Sequence, residues 1–470
     1  LKNNSLKGSE DNPYDLSTHD EKGGSIAQTT ANCYVVNSGG TYMFPLVYGN
    51  AIKGGSENSA AYSGGRFNDY IDRTITNSRI TGADDAVLVW SDGFYMFKDI
   101  HLNESKDYLV FTIDPDYMQQ ANAVLAVRDA QDRIMWSWHI WVTNHEIYSP
   151  SYQHVLEDLF EPSNTYTLMG CNLGWVDEKM VYYNQRDLSF TFTQERSGKT
   201  LEMTVEQEGA EFDYKDVGST YYQWGRKDPL VAMKNWEKYG PEDYRLHETG
   251  DPSYVYRIGT GGPNISLGDA IQHPNVFYTR GSGSNEGQNW CNENITTLWN
   301  NRDDGGNEDA TTSTKTIYDP SPRGFKVPIP RAFAVLVNGS TGDGGNQSDP
   351  SSVGSLNGFI YTDGGEPYNK YRAYPKSKGQ GSEIPLTGTG QRADVGGILE
   401  VYDKNDPIKA EVGGLWSLYG VYYWTCVPRN ANSANTLVIR RDQPSGYATY
   451  SYLFTGTKTM ARPVRCIVDR

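Results

Sequence analysis

The sequence lacks the features that mark membrane-spanning chains and unprocessed secreted chains. It contains no run of about 18 apolar residues, the length at which an α-helix crosses a bilayer. It does not open with the charged, apolar and small-residue regions of a signal peptide, which an exported protein would already have lost. Residues 1–30 are polar, and we expect them to form a flexible lead.

Positive charge is also scarce. The chain has 42 Lys and Arg residues against 58 Asp and Glu, which gives a net charge of −16. An acidic surface repels phosphate backbones and anionic lipids. The composition therefore argues against a nucleic-acid partner and against binding to an anionic membrane surface.

Cysteine is sparse, odd in number and widely spaced. The five residues are Cys33, Cys171, Cys291, Cys426 and Cys466. No two of them form a C-x-x-C pair, which excludes a zinc ribbon. Buried free thiols are the favoured interpretation, and a disulfide between Cys426 and Cys466 stays open as the alternative.

Catalytic signatures are missing as well. His145-Glu146 lacks the second histidine of a zinc protease, because Ser149 stands at that position. There is no G-x-S-x-G segment. The G-K-T at Gly198 lacks the earlier glycine of a phosphate-binding loop, since Thr193 stands there. No pair of carboxylates stands out, so an enzyme that uses carboxylates remains the alternative to a binding protein.

Strand-forming segments dominate residues 31–148. Six of them are rich in β-branched and aromatic residues: NCYVVN, TYMFPLVYG, DAVLVW, DYLVFTI, NAVLAVRD and MWSWHIWVT. This spacing, with no helical pattern between the segments, predicts an antiparallel, Ig-like β-sandwich. In the last segment, alternation places Trp136, Trp138, Ile140 and Val142 on one face and Ser137, His139 and Trp141 on the other. Residues 149–165 are expected to be a linker, with a short helical turn at HVLEDLF.

Residues 166–470 show a mixed pattern. LSFTFTQ (188–194) and LEMTVEQ (201–207) alternate with period two and predict a β-hairpin inserted at about residues 180–215. Helical patterns begin at Asp228 and near Pro330, and strand patterns return in the tail. Long polar loops separate these segments. The pattern predicts a loop-rich α+β domain, so the chain as a whole is expected to be mainly β with an α+β part.

Two acidic loops offer the oxygen ligands that Ca²⁺ requires. The candidate ligands are Asp303, Asp304, Glu308 and Asp309 in the first loop and Asp343 in the second. Neither loop matches the spacing of an EF-hand. Ca²⁺ is the one cofactor that the sequence suggests, and solvated surface loops are the competing interpretation.

Tryptophan is abundant, with 11 residues in the chain. Indole rings stack on sugar rings, and glycan sites combine such rings with polar hydrogen-bonding groups. The candidate ligand-binding residues are Trp224, Trp290, Trp299 and Trp416. Trp290 and Trp299, beside the first acidic loop, are the best candidates for exposure. The competing interpretation is that these residues anchor the core.

These tryptophans belong to an ordered series of motifs. In chain order the motifs are NLGW (172–175), YYQWGRKDP (221–229), QNWCNENITTLWN (288–300), IYDPSPRGFKVP (317–328), PLTGTGQR (385–392), GVYYWTC (420–426) and PVRCIVD (463–469). In this order they resemble the FISUMP, or major paralogous, domain of fimbrillin-like surface proteins of Bacteroidetes. TANCYVV (30–36), FPLVYGNAIK (44–53) and WSWHIWVT (136–143) resemble the β-sandwich module of the same proteins.

The resemblance implies a fold and a class of function. It implies a C-type-lectin-like fold for residues 166–470 and an exported protein at the outer-membrane surface, derived from a lipid-anchored precursor. The implied role is cell adhesion or ligand binding without catalytic residues, and the implied partners are a glycan, a surface protein or pilus subunits. A carbohydrate-active or protein-modifying enzyme of the lectin-like fold is the alternative.

The chain departs from the family pattern at two places. Ser321 stands where many relatives have Cys, which removes any disulfide that used this position. Gly170 and Cys171 replace an Asp-Arg pair that precedes NLG in many relatives, so a role tied to that pair does not carry over.

Overall fold

Strands dominate the structure, a computed structural model, and the predicted mainly β character is confirmed. It describes residues 1, 4–177, 179–183, 185–214, 218–230, 249–254, 257–261, 264–279, 289–292, 296–302, 309–337, 360–362, 369–373, 384–389, 391–392, 399–400, 420–441 and 448–470. Within these ranges no helix has the length and apolarity needed to cross a membrane.

Two four-stranded sheets form the first part of the chain. The first has the order β1 (Tyr14–Asp15), β3 (Gly40–Pro45), β8 (Tyr108–Ile113), β7 (Phe97–Leu102), and the second has the order β2 (Cys33–Val36), β10 (Ile134–Val142), β9 (Ala121–Arg128), β6 (Asp85–Ser91). A small hairpin joins β4 (Ile52–Lys53) to β5 (Ser56–Glu57). The sheets face each other, since the ring of Phe44 on β3 lies 4.7 Å from that of Tyr34 and 5.0 Å from that of Trp138. All six predicted strands are present, and the sequence pattern missed β7.

The edges of the two sheets differ from the antiparallel prediction. β1 pairs with β3 in parallel, and β2 pairs with β10 in parallel. The segment that contains β1 therefore extends a sheet and is not the flexible lead that the polar composition predicts. Leu16 and Ser17, just after β1, are buried.

Strand β10 is buried over its whole length. Its alternation does separate an apolar face from one that carries Ser137 and His139, but neither face meets solvent. The more polar face is covered by residues 220–230 of the second part of the chain. In β10, the period-two pattern therefore corresponds to a buried polar contact between the two parts of the chain and not to a solvent-exposed face.

The second part consists of several small sheets. Their strand orders are β11 (His154–Glu157), β12 (Thr165–Leu168), β30 (Ile467–Val468), β20 (Phe325–Lys326); β17 (Tyr222–Gln223), β29 (Ala461–Arg462), β24 (Gln391–Arg392), β25 (Leu399–Glu400); β21 (Ile360–Thr362), β22 (Asn369–Ala373), β23 (Ile384–Gly388); β26 (Val421–Pro428), β27 (Ser433–Arg441), β28 (Ala448–Thr457); and the parallel pair β18 (Arg257–Thr260), β19 (Val276–Thr279).

A separate two-stranded ribbon corresponds to the predicted hairpin insert. β13 (Lys179–Tyr183) pairs with β16 (Ala210–Tyr214), and β14 (Arg186–Thr193) pairs with β15 (Thr200–Gln207). The hairpin prediction is confirmed, as is the turn at Gly198, whose φ of 65° is a conformation that glycine adopts without strain.

Helices are few and short among the described residues. The α-helix α1 (Leu267–Gln272) begins with a capping box between Ser266 and Asp269. The 3₁₀ helices are Ser59–Ala61, Pro150–Tyr152, Pro252–Tyr254 and Pro330–Leu336. The helix predicted near Pro330 is thus present as a 3₁₀ helix, and most of the helix predicted from Asp228 lies outside the described residues.

The predicted linker is a structural element of the second part. HVLE forms strand β11 and not a helical turn, because it pairs with β12 and so joins the sheet that contains β30. One continuous apolar cluster extends from Leu16 in the lead to Ile467 in the last strand. The two parts of the chain therefore share a core.

All five cysteines are free and buried, as the favoured interpretation has it. The alternative of a Cys426–Cys466 disulfide is not what the structure contains. Burial raises the pKa of both thiols to about 12, which keeps them protonated and unreactive. The Cys466 thiol instead approaches Ser321, with 3.3 Å between Sγ and Oγ.

This contact predicts that Ser321→Cys forms a disulfide with Cys466. The bridge closes a long loop, and we expect it to raise the free energy of unfolding by about 2–4 kcal/mol. Thermal melting with and without dithiothreitol measures the gain, and thiol titration counts four free thiols in the oxidised variant against five in the parent. Ser91→Cys is the control, because the Ser91 hydroxyl bonds only within its own turn. Six free thiols in oxidised Ser321→Cys would contradict the prediction.

Candidate functional site

The motif YYQWGRKDP lies at the centre of the core, where three indoles converge on it. The backbone carbonyls of Tyr222, Trp224 and Arg226 each accept a hydrogen bond from a tryptophan N–H. The donors are Trp424 at 2.8 Å, Trp290 at 2.8 Å and Trp299 at 3.3 Å. Trp224 in turn donates its own N–H to the Thr425 carbonyl at 2.9 Å. We call these four tryptophans and their acceptors the indole hub.

The indole hub corrects the expectation that its tryptophans bind ligand. Trp224, Trp290 and Trp299 are each at most 1% exposed, so their rings have no face free to stack on a sugar. The physical reason is that each N–H satisfies a carbonyl that the surrounding apolar core would otherwise leave unpaired. The fourth candidate, Trp416, lies outside the described residues.

Polar side chains of the same motif form hydrogen bonds to the backbone of neighbouring segments. The Gln223 amide donates to the carbonyls of Tyr278 and Thr459, both at 2.8 Å. Arg226 donates to the carbonyls of Val276 and His273, beside the end of α1. The Arg226 guanidinium also lies 5.2 Å from the ring centre of Tyr278 and 5.7 Å from that of Trp290.

A buried ion pair connects the motif to strand β10. Lys227 Nζ donates to Asp228 Oδ1 and to Ser137 Oγ, each at 2.6 Å, and Ser137 Oγ donates to the same carboxylate. Burial lowers the pKa of Lys227 to about 8, against the attraction of Asp228. A serine beside a lysine is also a nucleophile arrangement in some hydrolases. Here Ser137 is 1% exposed and its hydroxyl is bonded to a carboxylate, so the group joins the two parts of the chain.

His139 makes a second polar contact between the two parts. Its Nε2 lies 2.9 Å from Asn122 Oδ1 and its Nδ1 lies 3.2 Å from the Tyr222 hydroxyl. Burial lowers the pKa of His139 to about 3, so the ring is neutral at physiological pH. A neutral ring with N–H on Nε2 satisfies both contacts, because Asn122 Oδ1 accepts and the Tyr222 hydroxyl donates.

The structure gives little support to the predicted metal ligands or to a catalytic carboxylate among the described residues. Asp303, Asp304, Glu308 and Asp343 lie outside the described residues, and Asp309 is the one predicted Ca²⁺ ligand inside them. Among the residues that are described, no three His, Cys, Asp or Glu side chains cluster as metal ligands. Burial raises the pKa of Asp319, but this carboxylate accepts hydrogen bonds from the backbone N–H groups of Ser321 and Val327 and is 1% exposed.

Exposed large apolar side chains are concentrated at two places. Of the eleven among the described residues, eight lie either at one end of the sandwich or on the ribbon. The first place consists of Phe94, Tyr95 and Tyr117, which are 37%, 63% and 48% exposed. We call these three residues the aromatic surface. Contiguous exposed aromatic rings mark interaction sites more often than single ones do.

The loop between β6 and β7 is held firmly beneath two of these rings. Ser91 and Gly93 exchange hydrogen bonds of 3.0 Å, and Asp92 accepts from the Asn122 backbone N–H. A side chain at Gly93 would meet Met96 and Ala121 at under 3 Å, so the close approach requires glycine. Met96 is buried, as is Phe97 after it, whereas Tyr95 before it is exposed.

Tyr95 occupies an unusual backbone conformation. Its φ is 60°, in the left-handed region that a bulky side chain rarely adopts. Such strain persists where the surrounding structure holds it, and it concentrates at binding and catalytic sites. This backbone conformation places the Tyr95 ring beside that of Tyr117, with the two ring centres 5.7 Å apart and the ring planes at 60°. The centre of the Phe94 ring lies 6.4 Å from that of Tyr95.

Charged groups border the aromatic surface. Lys98 forms an ion pair with Asp114, and its ammonium lies 5.4 Å from the ring centre of Tyr117. The hydrogen bond from Lys98 lowers the pKa of Asp114, so the carboxylate is charged at neutral pH. Asp116 donates its backbone N–H to the same carboxylate at 2.9 Å. Rings that lie at an angle, with charged hydrogen-bonding groups at their rim, suit a polyhydroxylated ligand with apolar C–H faces.

Sequence reasoning missed the aromatic surface because it gave weight to tryptophan. The available signal was the loop itself: SDGFY places two aromatic residues directly after turn-forming Asp92 and Gly93, where a strand has already ended. Aromatic residues inside a turn cannot alternate into a core, so they are candidates for exposure.

The indole hub predicts that Trp290→Phe destabilises the fold. The substitution leaves the Trp224 carbonyl without its donor and opens a gap, and we expect a loss of about 2–4 kcal/mol in the free energy of unfolding. Urea unfolding measures it. Trp175→Phe is the control, because its partner Asp177 is half exposed and keeps Gln120 and His145 as partners. Trp175 is also buried, so the gap is similar, but no buried carbonyl loses its donor; we therefore expect a loss smaller by about 1–2 kcal/mol there. Equal losses would contradict the assigned role of the hub.

His139 predicts a pH dependence of stability. The folded pKa of about 3 lies below the unfolded value of 6.5, so the unfolded chain binds a proton first as the pH falls. Stability is complete above pH 6.5 and is lost as the pH falls towards 3, by about 1.4 kcal/mol per pH unit for this one group. Urea unfolding at pH 7 and pH 5 should therefore differ less for His139→Gln than for the parent. His154→Gln is the comparison variant. Burial also lowers the pKa of His154, to about 4, so the difference in stability between pH 7 and pH 5 should be smaller than in the parent for this variant too. A pH dependence unchanged by His139→Gln would contradict the assignment.

No protein-family model, curated protein or solved structure matches the chain. Among the described surfaces, the aromatic surface combines exposed, contiguous rings with charged groups at its rim.

Proposed function

We propose that this protein is an exported cell-surface protein that binds carbohydrate and acts in adhesion. The observation that carries the proposal is the aromatic surface of Phe94, Tyr95 and Tyr117, an exposed group of rings on a firmly held loop. Stacking on sugar rings explains why such rings remain in water, and the rim of Lys98 and Asp114 supplies groups that bond hydroxyls.

The chain-wide properties support the same proposal. The net charge of −16 keeps such a protein soluble and disfavours binding to nucleic acid or anionic lipid. In finer terms, we propose an Ig-like sandwich followed by a C-type-lectin-like domain of the FISUMP type, in a protein of the fimbrillin-like class at the outer-membrane surface. The support for that classification is the order of the motifs from NLGW to PVRCIVD.

A role as a pilus-associated subunit is the second candidate. The observation that favours it is the parallel pairing of the short strand β1 along the edge of β3, where Tyr14 and Asp15 lie opposite Tyr42 and Met43. A two-residue strand is a weak cover for a sheet edge, and such edges pair with strands of other chains. Assembly into polymers after proteolytic removal of the lead would separate this role from simple adhesion.

The aromatic surface predicts which variants lose glycan binding. Tyr95→Ala and Tyr117→Ala each remove a stacking ring, and we expect about tenfold weaker binding to any polysaccharide that the parent retains. The measurement is direct binding to an immobilised panel of host and bacterial polysaccharides, with and without Ca²⁺. Tryptophan fluorescence is unsuited, because the described indoles of the hub are buried.

Phe160→Ala is the matched control, since Phe160 is an exposed aromatic residue outside this surface. Equal binding by the parent and both tyrosine variants would place the glycan site elsewhere. Binding of no polysaccharide by the parent, with or without Ca²⁺, would contradict the carbohydrate-binding function itself.

A further inference from the structure

The second concentration of exposed apolar side chains lies on one face of the ribbon. The cross-strand pairs on this face are Leu188 with Val205, Phe190 with Met203, and Phe192 with Leu201. Leu188 is half-buried and the other five are between 42% and 67% exposed. We call these six side chains the apolar face.

The opposite face of the same hairpin is polar. Its cross-strand pairs are Asp187 with Glu206, Ser189 with Thr204, Thr191 with Glu202, and Thr193 with Thr200. Except for Arg186 and Gln207, which lie on the apolar side at the base of the hairpin, the separation of apolar and polar residues matches a strand pair that is covered on one side only. In the described structure, nothing covers the apolar side.

The ribbon has little to stabilise it as it stands. A lone two-stranded hairpin is marginally stable in water and needs packing on one face. The polar face adds a repulsion, because the carboxylates of Asp187 and Glu206 lie directly opposite each other. Within the described residues β14 and β15 pair only with each other, so both outer edges lack a neighbouring strand. The apolar face therefore calls for a covering surface from outside.

We propose that a second copy of this chain covers the apolar face, through face-to-face packing of two identical ribbons. A two-fold axis that runs between the faces and across the strands places Phe190 over Phe190 and Met203 over Met203 of the other copy. It also places the larger tip residues, Phe192 and Leu201, over the smaller base residues, Leu188 and Val205. At the two ends of the face, large side chains then meet smaller ones, which suits interdigitated packing.

The same axis keeps the two bodies apart. It reverses the strand direction, so the bodies lie at opposite ends of the paired ribbons, with hairpins about 26 Å long between them. A two-fold axis parallel to the strands would instead bring both bodies to the same end. The antiparallel arrangement is therefore the one without a clash.

Charge alone does not choose between a copy of this chain and a lipid surface, so the match between the two apolar faces carries the choice. The apolar face carries no charge, whereas Asp187, Glu202 and Glu206 line the other face and stay in solvent when two faces meet. These carboxylates and the overall charge of −16 oppose an approach to anionic lipid, and the same overall charge also opposes a second copy, which weakens the dimer. The dimer is weak, because each copy contributes on the order of 500 Å² against about 800 Å² per partner in a standard interface.

The test is sedimentation velocity of the intact chain from about 1 to about 200 μM, the range for a micromolar dissociation constant. We expect the mass to shift from 52.5 kDa towards twice that value as the concentration rises. Phe190→Ser with Phe192→Ser should abolish the shift. Ser189→Ala with Thr191→Ala, on the polar face of the same strand, should leave it unchanged, with circular dichroism and melting to verify folding.

A cross-linking experiment tests the register. Met203→Cys should give a covalent dimer with a short bis-maleimide, whereas Thr204→Cys, which points to the other face, should give none. The five natural thiols are buried and do not compete. A mass of 52.5 kDa at every concentration, together with no cross-link at position 203, would overturn the proposal. Flotation of such a monomer with phosphatidylcholine vesicles would assign the apolar face to lipid instead. Glycan binding is measured separately, so either proposal can fail alone.

Discussion

The structure depends on a repeated hydrogen bond between an indole N–H and a backbone carbonyl. Three alternate residues of one short segment, Tyr222, Trp224 and Arg226, each accept such a bond from a tryptophan that lies outside this segment. Carbonyls at this depth have no water to bond, so each missing donor is costly. In a core built from regular sheets, backbone N–H groups would pair with these carbonyls. Here the indole N–H groups do so, and loops and two-residue strands can therefore meet in the core.

The same segment also explains why the two parts of the chain behave as a unit. Lys227 and Asp228 bond Ser137 on strand β10, and the Tyr222 hydroxyl meets His139 on the same strand. These contacts are directional, so they fix the orientation of the sandwich against the second part where apolar packing alone would allow sliding. A buried charge pair adds little to stability by itself, and its role here is orientation.

Strands were predictable wherever side-chain alternation and turn residues coincide. The hairpin at residues 188–207 and the long strand β10 follow from their patterns alone. HVLE was misread because its helical appearance was overridden by pairing with β12, a tertiary effect that no local pattern reveals. The polar lead was misread for the same reason, since parallel pairing with β3 orders it.

The candidate site was harder to predict, because exposure is decided by contacts that are distant in sequence. Trp290 and Trp224 are 66 residues apart, yet they are hydrogen-bonded to each other and both are buried. Tyr95 and Tyr117 are exposed because Met96 and Met118 next to them fill the core, which is visible only when the sheets are assembled. Residue type alone therefore assigned the stacking role to the wrong aromatic residues.

The closing contacts of the second part have a consequence for how the chain folds as it is made. Arg465 donates to the Met169 carbonyl across 296 residues, and β30 pairs with β12 over a similar distance. A chain emerging from the ribosome cannot complete this sheet until the segment that contains Arg465 and Ile467 has emerged. Until then, strand β12 and the residues beneath it present open edges and apolar surface, the condition under which nascent chains aggregate. Productive folding therefore requires that the earlier segments stay unassembled, or are shielded by a chaperone, until that segment has emerged.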